Sequence, residues 1–187
     1  MSSLTLPRFK IHGRRQARPL KESQQTLWEN FLPTLLFDQN VCHNTNFWQQ
    51  QKVCLEIGFG SGEHLVQKAL NNLDTLHIGC EPFINGVASF LKQAADYNLK
   101  NILIFPGDAR LLLTELPENA LDEVVLLFAD PWPKKRHHKR RFIQIDQIKY
   151  VYRLLKPNGT WRIATDDPNY QEWILNHFDR PENQSLF

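Results

Sequence analysis

The chain has 187 residues, 42% of them hydrophobic, and a formal net charge of +2. That length suits one domain and is short for two, and the hydrophobic share supports a packed core over most of the chain rather than disorder. No apolar run approaches the roughly 20 residues of a membrane-spanning helix, and Met1-Ser2-Ser3-Leu4 opens no secretory apolar stretch, so a cytoplasmic protein with no membrane partner is expected.

In chain order the first feature is basic. Arg8 to Lys21 holds six Lys or Arg, Arg14 and Arg15 among them, with no acid. It also lacks apolar periodicity, so residues 1–22 read as a mobile basic arm before a single domain at 23–187, with its core at about 50–178. Ser23 is the expected N-cap of a helix carrying Leu27, Trp28, Phe31 and Leu32 on one side, with Pro33 near its end. That helix is expected to pack on the sheet or to cover a ligand.

From Val53 onward short apolar runs alternate with helical stretches. Strands are expected at about 53–58, 75–81, 101–105, 122–129 and 160–165, and helices at about 61–72, 83–97, 109–115, 142–155 and 169–178. The alternation predicts an α/β fold with a mostly parallel sheet covered on both faces. Pro157-Asn158-Gly159 is predicted to end the fourth of these helices and turn into the last strand, which would lie at an open sheet edge. Cys42, Cys54 and Cys80 have neither disulfide count nor zinc spacing and read as reduced core residues.

Val53 to Gly62 is an apolar strand with Glu56 near its end, running into glycines at 58, 60 and 62. Glycine lets the backbone turn tightly and come close to a ligand. A dinucleotide fingerprint wants glycine at the first, third and sixth positions. The sixth here is Glu63, and no Gly-Lys-Ser/Thr follows. The pattern with Glu56 fits S-adenosylmethionine, whose cationic groups favour nearby carboxylates. Ligands of open α/β sheets bind beyond the carboxyl ends of the strands. There, Glu81 is placed to accept both ribose hydroxyls, Asp108 to accept from the adenine amino group, and Ala109 to offer a backbone N–H. Each acid alone also reads as a helix N-cap or a loop residue.

Asp130-Pro131-Trp132-Pro133 follows the fourth apolar run. Two prolines stiffen it, so Trp132 is expected to stack on a planar base while Asp130 addresses the edge of that base or its developing charge. A plain structural turn is the other reading. Lys134 to Arg141 then holds six Lys or Arg and two histidines. Its position beside the expected centre points to nucleic-acid phosphates held by Arg136, His137, His138, Lys139, Arg140 and Arg141, with the arm gripping elsewhere. His137-His138 lacks the further ligands that zinc needs, so no metal is expected.

Glu56-Ile57-Gly58-Phe59-Gly60, Asp130 to His137 with Lys139-Arg140-Arg141, and Ala164-Thr165-Asp166 together resemble the bacterial tRNA (guanine-N7-)-methyltransferase family. The resemblance implies a Rossmann-like class I S-adenosylmethionine-dependent fold and methyl transfer to N7 of a guanine in the tRNA variable loop. It implies cofactor contacts at Glu56, Gly58, Gly60, Glu81, Asp108, Ala109 and Asp130, with Asp130 the catalytic acid residue. Lys134 and Asp166 would contact the substrate, residues 136–141 with Arg14 and Arg15 the RNA, and the chain would be a monomer or weak homodimer. The family's terminal antiparallel hairpin and its Thr-x-Tyr/Phe-Glu motif are expected to be missing here. A tRNA-binding homologue of weak activity, or an amino-group methyltransferase of nucleic acid, are the alternatives.

Overall fold

The computed structural model describes residues 15–184 and Leu186; Arg14 and the rest of the expected arm before Arg15 lie outside them. Five strands form one sheet: β1 (Lys52–Ile57), β2 (Thr75–Cys80), β3 (Ile102–Phe105), β4 (Leu121–Leu127) and β5 (Leu155–Ala164). Their order is β3-β2-β1-β4-β5, and every pairing is parallel. Val53, Leu55, Ile57, Ile78, Val124 and Leu126 are buried, as strands covered on both faces require.

Helices α1 (Glu22–Asn30), α2 (Leu32–Leu35), α4 (Glu63–Asn71) and α5 (Ile84–Asp96) cover one face. The other face is covered by α6 (Ala109–Glu115), α7 (Ile145–Leu154) and α8 (Pro168–Phe178), with Trp48 of the short α3 (Thr45–Gln49) in the same core; a short α9 (Pro181–Gln184) follows. The strand order reverses at β1, between β2 and β4. Because Ile57 pairs with both Cys80 and Leu126, the carboxyl ends of these three strands finish level and diverge around one crevice.

Several boundaries differ from the sequence expectation, each for a local reason. The first helix starts at Glu22 rather than after Ser23, because the Gln24 side chain reaches back to accept from the Lys21 backbone N–H at 3.2 Å. It packs on α5, and α2 packs on β3, so neither covers the crevice. Pro157-Asn158-Gly159 does not end a helix. It bulges within β5, whose partner register slips from Leu155 opposite Leu121 to Thr160 opposite Glu123, and Asn158 rather than the glycine takes the left-handed conformation (φ 66). Residues 15–18 of the expected mobile arm are docked on the start of α5. Ile84 N donates to Arg15 O at 2.8 Å, Ala17 N to Asn85 Oδ1 at 2.8 Å, and Asn85 Nδ2 to Arg18 O at 2.9 Å. The three cysteines are free and buried, and burial pushes the Cys54 thiol up to about 12, as expected of reduced core residues.

Gly86 on α5 meets the glycine loop directly: a Cβ there would lie 2.4 Å from Gly60 O and 3.0 Å from Gly60 C. Backbone cannot swing aside as a side chain does, so G86A must push the loop and α5 apart. The expected cost is about 2 kcal/mol, lowering the melting temperature by about 4 to 8 °C. An unchanged melting curve by circular dichroism would mean that this contact is not tight in solution.

Candidate active site

A cavity of about 350 Å³ occupies the crevice. Ile57 and Gly58 enter from β1, Cys80 and Glu81 from β2, Asp108, Ala109 and Arg110 from the start of α6, and Leu126, Phe128, Asp130 and Trp132 from β4 and its loop, with Arg140 and Phe142 at the far wall. A larger cavity, about 610 Å³, lies beside the β5 bulge. It opens near the amino ends of the strands, away from the glycine loop, so it does not have the converging acids of the first.

The glycine loop has the form of a cradle. Gly58, Gly60 and Gly62 all adopt positive φ (72, 58 and 87), and a Cβ on Gly58 or Gly60 would meet nothing within 4 Å. The backbone therefore faces open space that a ligand can approach closely. Glu81 holds this loop in place: one carboxylate oxygen accepts from Gly60 N and the other from Phe83 N, both at 2.8 Å. Each oxygen keeps acceptor capacity for a further donor. Burial raises the Glu81 pKa and the Asp130 charge adds to the rise, against the two backbone donors that lower it.

Glu56 is not among the residues that line the cavity. Strand alternation turns it toward α4, away from the wall that Ile57 lines, and it is only 4% exposed. Its Oε2 lies 2.7 Å from His64 Nδ1, while burial raises its pKa and His64 counters that rise. Glu56 thus braces the loop from beneath through His64, a residue that sequence reasoning passed over. The signal was its place in the first turn of the helix after the glycines.

Asp108 does two things at once. It caps α6 by accepting from Arg110 N at 3.0 Å, and it accepts from Arg110 Nε at 3.0 Å, so the N-cap reading holds, and the residue also lines the cavity. Arg110 was not singled out in the sequence. Ala109 begins the helix, where the backbone N–H has no intrahelical partner and is available to a ligand.

The loop after β4 carries two strained residues, Phe128 (φ 50) and Trp132 (φ 44), while Asp130 is exposed on the rim between them. Arg140 lies 4.9 Å over the Trp132 ring, and His137 meets the same ring edge-on at 5.8 Å. Lys135–Arg140 form a 3-10 helix, with Lys134, Arg136 and Lys139 exposed. Partial loss of hydration, then the neighbouring cations, lower the His137 pKa. Arg140 Nε, on the cavity wall, and His138 Nε2, on a ring packed against Trp173, are both buried without a hydrogen-bond partner. Asp166, on the exposed turn after β5, and Lys134 stand outside the cavity wall.

Arg141 departs from its expected role. It is 2% exposed; Nε donates to Pro131 O at 2.7 Å, a terminal nitrogen donates to Asn169 Oδ1 at 2.6 Å, and the guanidinium lies over Tyr170 and Trp173. A phosphate cannot reach it. Arg141 instead pins the proline loop to α8, because a planar fork satisfies two acceptors while stacking on aromatic faces. R141A is expected to cost about 3 kcal/mol in urea unfolding, with R141K recovering little of it. A change no larger than that of an ordinary surface substitution would remove the anchor role.

The family model described as "Putative methyltransferase" matches residues 50–186. A tRNA (guanine-N(7)-)-methyltransferase of Caulobacter vibrioides is 43% identical over 162 residues, covering 86% of this chain and 72% of the relative. One of Agrobacterium fabrum is 40% identical over 173 residues, covering 90% and 75%. The crystal structure of the antibiotic-resistance methyltransferase Kmr matches at a TM-score of 0.55 and 18% identity, covering 80% of this chain and 82% of that one, a likeness of fold alone.

Proposed function

This chain belongs to the tRNA (guanine-N(7)-)-methyltransferase family, and we propose that it transfers a methyl group from S-adenosylmethionine to N7 of a guanine in the tRNA variable loop. The observation that carries the reading is the crevice itself. Open glycine cradle, Glu81 and the start of α6 form one wall, while Asp130 and a basic helix form the rim opposite. Bound there, S-adenosylmethionine supplies the methyl group, its carbon–sulfur bond breaking with the electron pair left on sulfur as the N7 lone pair forms the new bond.

The side chains act by position and charge. Glu81 accepts from the ribose hydroxyls, Asp108 and the Ala109 N–H address the adenine, and Gly58 and Gly60 admit the ligand closely. N7 of neutral guanine carries a lone pair and no proton, so no general base has to act. Asp130 faces the positive charge that passes to the purine and holds the reacting groups in line. Asp166 accepts from the Watson–Crick edge donors of the guanine. Lys134, Arg136, Lys139 and Arg140 hold phosphates, and Arg14 and Arg15 add to the grip on RNA. The chain works in the cytoplasm as a monomer or weakly associating dimer.

Transfer of labelled methyl to unmodified tRNA, followed by nuclease digestion, is expected to yield N7-methylguanosine. Asp130→Ala and Asp166→Ala are expected to slow single-turnover transfer by about a hundredfold and tenfold respectively. Wild-type rates in both variants would remove both roles, and an exocyclic methyl product would replace the reading with amino-group transfer.

Cofactor affinity is expected to depend on pH through Glu81. Only the ionised carboxylate accepts from both ribose hydroxyls, and burial raises its pKa above the ordinary 4.5. Binding therefore weakens on acidification before pH 4.5 is reached, whereas the cofactor-free fold, which takes up that proton more readily than the unfolded chain, gains relative stability in the same window. Calorimetric titration of wild type and E81Q from pH 7.5 down to about 4 checks this: the wild-type slope should vanish in E81Q, and a flat wild-type profile down to that pH would exclude it.

A further inference from the structure

Phe128 leaves β4 with a left-handed backbone and is 64% exposed, yet it forms part of the cavity wall. Two costs coincide there. A bulky residue at positive φ is strained, and a phenylalanine so exposed gains little from the core. Glycine would remove both, so the position of the ring needs a reason outside the folded core.

Its surroundings supply one. The Phe128 backbone N–H donates to Ala164 O at 2.8 Å, which fixes its backbone at the carboxyl end of β5, where the Thr165-Asp166 turn begins. Asp130 stands two residues further along the same rim. Trp132, on which the sequence placed the base stack, is already engaged: the Arg140 guanidinium lies over its ring and the His137 ring stands nearly perpendicular to it. Phe128 is the more open aromatic at this rim, 64% exposed where Trp132 is half-buried.

We infer that Phe128 is the platform on which the target guanine stacks, and that Trp132 with Arg140 is a preformed wall beside it. The inference rests on the methyltransferase reading above. A purine laid on Phe128 covers the exposed ring and brings the base to the rim that holds Asp130. The π face also favours the positive charge that the purine gains at N7. The left-handed backbone then has a use, since an extended conformation would send the ring elsewhere.

The test compares F128A, F128L, F128G, F128Y and F128W in the whole chain, reading kcat/KM for tRNA and S-adenosylmethionine affinity by calorimetry. Losing a base–aromatic stack corresponds to a fall of about ten- to a hundredfold in kcat/KM, expected for the alanine, leucine and glycine variants. F128Y and F128W should restore most of it, and cofactor affinity should stay within about twofold throughout. F128G also relaxes the backbone, so it should melt no lower than wild type and keeps the test available if other variants unfold. Wild-type kcat/KM in F128L would reduce the ring to an apolar rim and overturn the inference, as would a parallel loss of cofactor affinity in F128A. A tRNA with 2-aminopurine in place of the variable-loop guanine, mixed with enzyme and S-adenosylhomocysteine in place of the methyl donor, reads stacking without turnover. Quenching by wild type but not by F128L supports the platform, and equal quenching overturns it. If wild type makes no N7-methylguanosine, the methyltransferase reading fails, and the fluorescence comparison still judges Phe128.

Discussion

The carboxylate of Glu81 ties together three elements that would otherwise be free to move apart. It leaves the end of β2, takes the Gly60 N–H of the loop after β1, and takes the Phe83 N–H just before α5. Those bonds set how far the glycine loop stands from α5, a distance so short that Gly86 admits no side chain. Burying a carboxylate is costly, and the raised pKa is the sign of that cost; two backbone donors offset part of it. The docking of residues 15–18 extends the same cluster outward, because Asn85 and Ile84 in the first turn of α5 receive the chain through backbone and amide hydrogen bonds.

The opposite wall is built on a different principle. Asp130-Pro131-Trp132-Pro133 holds its shape through buried Arg141, which links Pro131 O to Asn169 of α8 and stacks on Tyr170 and Trp173. With that fork beneath, the loop sustains left-handed backbone at Phe128 and Trp132. One cation of the basic run is therefore spent inside the fold, and its neighbours stay at the surface beside the cavity. The acidic wall and the basic rim meet across a narrow crevice, the arrangement that suits a small cationic cofactor on one side and a polyanion on the other.

Much of this was legible from residue order. Near-continuous apolar runs, glycines between a strand and a helix, and acids spaced at strand ends all follow local rules, and the strand and helix positions from Val53 to Phe105 match within a residue or two. Glu81, Asp108, Ala109 and Asp130 do meet around one cavity, since successive parallel strands must end on the same side of the sheet. The misreadings cluster where a partner far along the chain decides. Pro157-Asn158-Gly159 looked like a helix stop, but pairing with β4 continues through it as a bulge. Ser23 looked like a cap, but the Gln24 side chain moved the helix start.

Residue types in their order determined the parallel α/β architecture, the glycine cradle and the chemistry of its acids, because period and spacing act over a few residues. Only the tertiary structure decided which members of a motif line the cavity. Glu56 turns toward His64, Arg141 into the aromatic cluster of α8, and Trp132 under Arg140, leaving Phe128 open. Side-chain direction at a strand end depends on which helix packs behind it, and burial of a charge depends on acceptors contributed by distant segments. Neither quantity is encoded in local sequence.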